Sequence, residues 1–395
     1  MTVNDTVDAL PDKTQAEAFY AKYEPMGILG RGMSSVVRKC INKLDNQSYA
    51  VKIIDLQKFT NPQDLECIQV AINAEVKALQ LLNSHSNIIT LQDIFHTPTY
   101  EFLVFDLATG GELFDMMTRY VTLSEKKARL VLLPINLLIM AQILEALTYM
   151  HDLNVVHRDL KPENVLLSDE MIVKISDFGF ARILEEGETL TELCGTPAYL
   201  APEMLHCNAG TNPMGYGIEI DLWACGVILY TLLVGRPPFW HRRQLVMLRA
   251  IMDGNYSLNT PEWTDVSDTA KDLVSKLLVV NPRERITAKM ALRHPFFGSY
   301  IRKDLKPKKF KIAAIVVTAI HIFTNLLKAK YGPVPFSVIQ QDPYGVRPIR
   351  KLIDSCAFNI YGHWVKRSND QNRGALFENT LRAYEYQHDT EVFVN

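Results

Sequence analysis

Asp159, Lys161 and Asn164, within the string His157-Arg158-Asp159-Leu160-Lys161-Pro162-Glu163-Asn164, are the side-chain types that phosphoryl transfer needs. Such transfer rests on positioning and charge neutralisation, so few groups at fixed offsets suffice. Asp159 would orient a substrate hydroxyl and accept its proton, and Lys161 would reach a phosphate. Asn164, five residues past Asp159, would hold a Mg²⁺. Thirteen residues beyond Asn164 comes Asp177-Phe178-Gly179, whose carboxylate would hold Mg²⁺ against the β- and γ-phosphate oxygens of a nucleotide. One such string can arise by chance, but two in this order and spacing point to one site.

Upstream segments have the makings of a nucleotide cradle. Leu29-Gly30-Arg31-Gly32-Met33-Ser34-Ser35-Val36-Val37 reads as two strands joined by a Gly-rich turn whose backbone amides can cover phosphates. Ser35 stands where such loops usually carry a third glycine, and a plain hairpin is the alternative. Ala50-Val51-Lys52 follows in a β-rich run and would place Lys52 at the α- and β-phosphates. A surface lysine is the bland reading, and the downstream string argues against it. Ile68, Ile72, Val76, Leu79 and Leu82 recur at helical spacing, and Glu75 on that helix would pair with Lys52. Phe102 to Ala108 reads as a buried strand running into a hinge at Gly110-Gly111. Backbone groups of Asp106 and Ala108 would bind an adenine edge beside Phe105. Glu112, at the cleft mouth, would pair with a basic substrate residue or the ribose.

From Asp177 to Ala201-Pro202-Glu203 the chain should form a segment that docks substrate, with Thr196 in Cys194-Gly195-Thr196-Pro197. Where phosphorylation-switched relatives of this pattern carry a threonine, Glu192 stands here, and its carboxylate would hold Arg158 permanently. The alternative is an exposed Glu192, with Thr189 or Thr191 as a switch. Asp221 would brace the backbone of the 157–164 loop, and Glu203 has a structural partner in Arg285.

The elements that position these groups fit one two-lobed domain. Residues 1–22 are polar and expected to be flexible, 23–108 form a small β-rich lobe with its hinge, and 109–297 form a large helical lobe. One stretch breaks the pattern. Val131-Leu132-Leu133-Pro134-Ile135-Asn136-Leu137-Leu138 lies between two helical segments, and a proline inside a helix costs roughly 3 kcal/mol. Without those eight residues, Leu130 would join Ile139 in an unbroken amphipathic pattern. Residues 131–138 are therefore read as an insertion, from an alternative exon or a gene-model artefact, that puts stability and activity in doubt.

The 395 residues are 48% apolar with a net charge of −2, as in ordinary soluble globular proteins, and nothing in this balance calls for nucleic acid. The balance hides an asymmetry: residues 1–297 hold 27 Lys/Arg against 36 Asp/Glu, whereas 298–367 hold 13 against 3. A basic tail suits an acidic partner. Lys306 to Lys330 is basic at both ends and apolar between, with Phe310 and Phe323 thirteen apart, suiting two anchors gripped by the lobes of calmodulin. Trp364 lies in a second basic, aromatic stretch from Tyr344 to Arg367. A membrane span over 312–327 is the competing reading, but it is short and interrupted by Thr318, His321, Thr324 and Asn325. A helix lying on a membrane surface is another. Six cysteines without paired spacing fit free thiols in a reducing compartment, and no basic-then-apolar leader opens the chain, so a cytoplasmic protein is expected.

These motifs resemble those of protein kinases, and over residues 23 to about 380 the chain resembles the catalytic gamma subunits of phosphorylase kinase, in the calcium/calmodulin-dependent kinase group. The narrower resemblance rests on Tyr23-Glu24-Pro25, Glu-Leu-Cys-Gly-Thr-Pro at 192–197, and Pro237-Pro238-Phe239-Trp240-His241-Arg242. It also rests on two tail strings without catalytic rationale, Ile360 to Lys366 and Asn372 to Asn379. The resemblance implies an α+β, two-lobed protein kinase fold and a Ser/Thr kinase using ATP and Mg²⁺ to phosphorylate glycogen phosphorylase. It further implies regulatory alpha and beta subunits, and an integral calmodulin that binds a restraining tail over 298–395. An acidic residue at Glu192 and a basic-residue preference served by Glu112 match that family, whereas the insertion at 131–138 departs from it. By this resemblance Leu29, Gly30, Gly32, Val37 and Ala50 line the ATP site with Lys52. Two rivals stay open: a calmodulin-regulated kinase working alone, and an inactive kinase-shaped scaffold.

Overall fold

The computed structural model describes residues 10–32, 35–121, 126–210 and 214–298, the backbone alone over 118–121 and 126–134. The calmodulin-binding expectation on Phe310, Phe323 and Trp364 lies outside the described residues. A five-stranded antiparallel sheet forms the small lobe: β1 (Tyr23–Arg31), β2 (Ser35–Asn42), β3 (Ser48–Asp55), β4 (Leu91–His96) and β5 (Tyr100–Asp106), in the order β1-β2-β3-β5-β4. Because side chains alternate across a strand, the register separates two faces. Val37 pairs with Lys52, Lys52 with Leu103 and Ala50 with Phe105, so these five residues share one face. Val51, Phe102 and Val104 occupy the other.

The second face is covered by the chain's own N-terminal segment. Residues 10–22 are therefore not the flexible tail that their polarity suggested. Helix α1 (Glu17–Lys22) buries Phe19 completely, with its ring stacked on Phe102 at 4.4 Å between centroids. The Tyr20 hydroxyl donates to the Pro11 carbonyl at 2.7 Å, and Lys22 pairs with Asp93 at 2.7 Å. Three aromatic side chains in five residues (Phe19, Tyr20, Tyr23) outweigh the polar residues around them, because each removes a large apolar area from water.

Helix α2 (Pro62–Leu82) starts at Asn61, whose side chain accepts from Gln63 N, and it carries Glu75 inward with Ile72, Leu79 and Leu82. Strand β6 (Gly111–Glu112) leads into α3 (Leu113–Val121) and the large lobe. There α4 (Lys126–Asp152) runs as one helix through Pro134, which overturns the expectation that 131–138 interrupts it. The offset lies downstream: Ile135, Ile139, Ile143 and Leu147 recur every four residues and are buried in the lobe core. Asn136, in the unusual stretch, is 8% exposed and donates to the Leu232 carbonyl at 3.0 Å. Tertiary burial of one continuous face thus outweighs the lost backbone bond.

Strands β7 (Val155–Val156), β8 (Val165–Leu167), β9 (Val173–Ile175) and β10 (Arg182–Ile183) flank the site loop. Helix α5 (Pro202–Asn208) precedes α6 (Glu219–Val234), a helix apolar on all sides that forms the core of the lobe. Helices α7 (Gln244–Met252), α8 (Asp268–Leu277) and α9 (Ala288–Leu292) close the body. The buried Glu203–Arg285 pair, at 2.6 Å, ties α5 to the loop after α8. No helix among the described residues is long and apolar enough to cross a membrane.

Candidate active site

The site lies where the inner face of the sheet meets the loop after β7. Lys52 reaches it from the middle of β3, and its Nζ lies 2.8 and 2.9 Å from the two carboxylate oxygens of Glu75 on α2. The same ammonium is 3.4 Å from Asp177. Burial alone would lower the Lys52 pKa, but the carboxylates of Glu75 and Asp177 outweigh it and hold the lysine charged. For Glu75 burial dominates and raises the pKa despite Lys52. Asp177 goes the other way: the protein crowded around it would raise it, but Lys52 and Lys161 hold it below the usual value, and its side chain stays 52% exposed. An ionised Asp177 is the form that binds a cation.

Across the cleft, Asp159 is nearly buried and bonded on three sides. Lys161 Nζ donates to its carboxylate at 2.7 Å and to the Thr196 hydroxyl at 2.8 Å, and that hydroxyl donates to Asp159 at 2.8 Å. Asn164 donates its side-chain N–H to the Asp159 carbonyl at 2.9 Å, which aims the amide's donor end at the loop and keeps its oxygen for a ligand. Thr196 thereby joins the proposed docking loop directly to Asp159, a link that spacing alone did not reveal. Gly195, with φ +97°, permits this approach, since a Cβ there would sit 2.5 Å from the Arg158 carbonyl oxygen.

Arg158 and Asp177 themselves have φ of 69° and 60°, a region that side chains other than glycine rarely adopt. Asp221, at the start of α6, holds the first of these in place. Its carboxylate accepts the backbone N–H of His157 at 2.9 Å and of Arg158 at 3.1 Å, and approaches His151 Nε2 at 3.0 Å. The expected brace is therefore present. Arg158 reaches Glu192 at 3.4 Å, and also donates to the hydroxyl of Tyr216 at 3.2 Å. Tyr216 had no motif to mark it, since its role comes from a chain crossing distant in sequence.

The cradle for a nucleotide is consistent in chemistry. Val37, Ala50, Lys52 and Phe105 share the cleft face of the sheet, and Leu29, 52% exposed, stands in the hairpin above. A Cβ on Gly32 would meet Ser35 Oγ at 2.7 Å, whereas one on Gly30 would meet open space. Residues 33 and 34 at the hairpin tip lie outside the described residues. The Asp106 N–H donates to the Thr90 carbonyl at 3.1 Å, so the Asp106 carbonyl is the backbone group it can offer an adenine amine. Ala108 follows in the hinge, and Glu112 sits half-buried on β6 against Leu166 of β8. The oxygen donors of Asp177 and Asn164 suit a hard cation such as Mg²⁺, which takes one or two protein ligands and completes its shell with phosphate and water.

Comparison with known proteins agrees with this geometry. The protein kinase domain family matches residues 23–297. Over 376 residues, 94% of this chain and 90% of the relative, the chain is 50% identical to the phosphorylase b kinase gamma catalytic chain, liver/testis isoform, of Bos taurus. The Homo sapiens protein of the same name is 48% identical over 379 residues, with the same coverage. A probable serine/threonine-protein kinase of Dictyostelium discoideum, fhkD, is 42% identical over 308 residues, 75% of this chain and 40% of its own length.

Proposed function

The chain belongs to the protein kinase family, among the phosphorylase b kinase gamma catalytic chains, and on that premise we propose that it transfers the γ-phosphate of ATP to a serine of glycogen phosphorylase. The observation that carries this reading is that the similarity covers 94% of the chain, well past the catalytic domain that ends at residue 297. A kinase sharing only its catalytic body would not be similar so far into the tail.

In this reading Mg-ATP supplies the phosphoryl group and the neutralising cations, held by Asp177 and Asn164. Lys52, kept extended by Glu75, binds the α- and β-phosphates. Leu29, Gly30, Gly32, Val37 and Ala50 enclose the nucleotide, and Asp106 and Ala108 bind its adenine edge. Asp159 accepts the proton of the substrate hydroxyl and aims its oxygen in line. Lys161, bonded to Asp159 and Thr196 before substrate arrives, moves onto the transferring phosphate, where its charge is worth most. Glu112 pairs with a basic residue of the substrate. The placement of Arg158 beside Glu192 supports an activation segment ordered without added phosphate.

Calmodulin and regulatory alpha and beta subunits are the partners we assign, calmodulin binding the basic tail through Phe310, Phe323 and Trp364. The charge asymmetry supports an acidic partner for that tail. The five described cysteines are all free, which supports a cytoplasmic setting.

Phosphate transfer from ATP to intact phosphorylase tests the reading. The unsubstituted chain should label one serine, and Asp159→Asn should lose about a thousandfold or more in kcat. Separately, Mg-ATP should raise the Tm of the unsubstituted chain and not of Asp177→Ala. Absence of labelling with the Tm shift intact would retain the nucleotide site and reject phosphorylase as substrate.

A further inference from the structure

Behind the hinge the two lobes leave a second opening that takes no part in the chemistry above. Ala50 and Phe105 are paired on the nucleotide face of the sheet, so the adjacent pair, Tyr49 and Asp106, projects from the opposite face. Phe19 and Tyr20 of α1 cover the middle of that face over Val51, Phe102 and Val104. Toward the hinge it gives way to a cleft of about 330 Å³. The small lobe lines this cleft with Gln47, Ser48, Tyr49 and Gln92, and the large lobe with Ser168 and Lys174. Asp106 stands on the wall between them.

Most of these side chains are amides and hydroxyls, neutral groups that both donate and accept. Gln92 donates Nε2 to the Asp106 carboxylate at 2.6 Å, which leaves its own oxygen as an acceptor. Lys174, half-buried on β9, is the cation of the cleft. Its Nζ makes a long 3.4 Å bond to the Ile88 carbonyl, and no carboxylate among the described residues pairs with it. A half-buried ammonium without a carboxylate, facing a polar cleft, is matched by an anion brought from outside.

We propose that this rear cleft binds a small, hydroxyl-rich ligand carrying one phosphate, the chemistry of a sugar monophosphate. The phosphate sits on Lys174, because an ammonium meets a phosphate as a point charge, whereas a planar carboxylate is better matched by the fork of an arginine. Sugar hydroxyls bond to the amides of Gln47 and Gln92 and the hydroxyls of Ser48 and Tyr49. The Asp106 carboxylate disfavours a second anionic group, so a monophosphate is preferred to a longer phosphate chain. The volume is at the lower end of the roughly 300–1,000 Å³ usual for ligand sites, which suits a single sugar. The site is independent of which protein the kinase phosphorylates.

Thermal melts and isothermal titration of the full chain test this, in saturating Mg²⁺ and a non-hydrolysable ATP analogue that keep anions from Lys52 and Lys161. Glucose 6-phosphate and ribose 5-phosphate are the probes. At tenfold its Kd, at least one should raise Tm by roughly 2–5 °C, while glucose and inorganic phosphate at the same concentration each raise it by less than about 1 °C. Lys174→Met, which keeps the apolar stem, should weaken that probe at least about tenfold. Gln47→Ala, in the exposed loop between β2 and β3, should weaken it about threefold and leave the Tm without ligand unchanged. A shift from inorganic phosphate equal to that from the probe would mean an adventitious ion only. That result, no shift from either probe, or full affinity in both variants would overturn the site.

Discussion

Arg158 Nη1 and Glu192 Oε2 stand 3.4 Å apart, and the arginine side chain is 2% exposed while the glutamate side chain is 70% exposed. The contact is long for a hydrogen bond, and its carboxylate stays in water. Shorter bonds hold the guanidinium inside. Its Nε donates to the Phe180 carbonyl at 2.6 Å, and Nη1 donates to Tyr216. Tyr216, 3% exposed, donates its hydroxyl to the Glu192 carbonyl, and its backbone exchanges two hydrogen bonds with Leu190, at 2.9 and 2.8 Å. The main chain of Glu192 is therefore fixed more firmly than its carboxylate.

An exposed ion pair contributes about 0–1 kcal/mol, while a buried hydroxyl serving two partners contributes about that much for each bond. Glu192→Gln should accordingly lower kcat/KM by less than about fivefold. Tyr216→Phe should lower it on the order of tenfold. Thr189→Ala and Thr191→Ala should leave it unchanged. Kinetics on a peptide substrate distinguish these outcomes: a hundredfold loss in Glu192→Gln would make the carboxylate the lock, and a loss in either threonine variant would make that residue the switch.

Asp221 yields a prediction in pH. Burial would raise its pKa, but the His151 bond, the charges of His151 and His157 and the backbone N–H of His157 outweigh it, so the folded value lies below the ordinary 3.8. A carboxyl with a depressed folded pKa contributes stability that is complete above its unfolded value and is lost as pH falls through the folded one. Asp221→Asn should thus be less stable at pH 7, and the gap to the unsubstituted protein should narrow as pH drops below about 4. Urea midpoints measured across this range check it. A gap that widens in acid would contradict the assignment.

Phe19 should matter to the fold although it is remote from the cleft. Truncating a fully buried phenylalanine costs about 3–5 kcal/mol, so Phe19→Ala should lower Tm by roughly 5–15 °C. Lys13→Ala, on the exposed side of the same segment, should change it by no more than about 1–2 °C. Thermal melts of both variants decide whether residues 10–22 are an integral part of the small lobe.

The grouping of Asp159, Lys161 and Asn164 was legible because short offsets on one loop keep these side chains together. The Lys52–Glu75 pair was legible because helical spacing turns Glu75 toward the core. Asp221 and the Glu203–Arg285 pair were likewise expected and are present. Tyr216 and the Thr196–Asp159 bond were not legible: each arises where distant segments cross, and neither leaves a periodic trace. Phe19 was misjudged because composition was averaged over a stretch whose two aromatic residues, Phe19 and Tyr20, decide its fate.

Pro134 shows how local preference yields to packing, and how far. The proline at the ninth residue of α4 has no N–H to donate to the Leu130 carbonyl, and proline inside a helix in general crowds the carbonyl four residues back. The helix nevertheless continues, because breaking it would unseat Ile135, Ile139 and Ile143 and leave Asn136 without the Leu232 carbonyl. The strain therefore persists in the native state. Pro134→Ala should relieve it, restoring one backbone bond and stabilising the protein by about 1–3 kcal/mol, read as a rise in both Tm and urea midpoint. Ile135→Ala, by contrast, should destabilise by about 2–5 kcal/mol. If Pro134→Ala instead lowers Tm, the proline is shaping a break in the chain there, and a continuous α4 would not be its resting form.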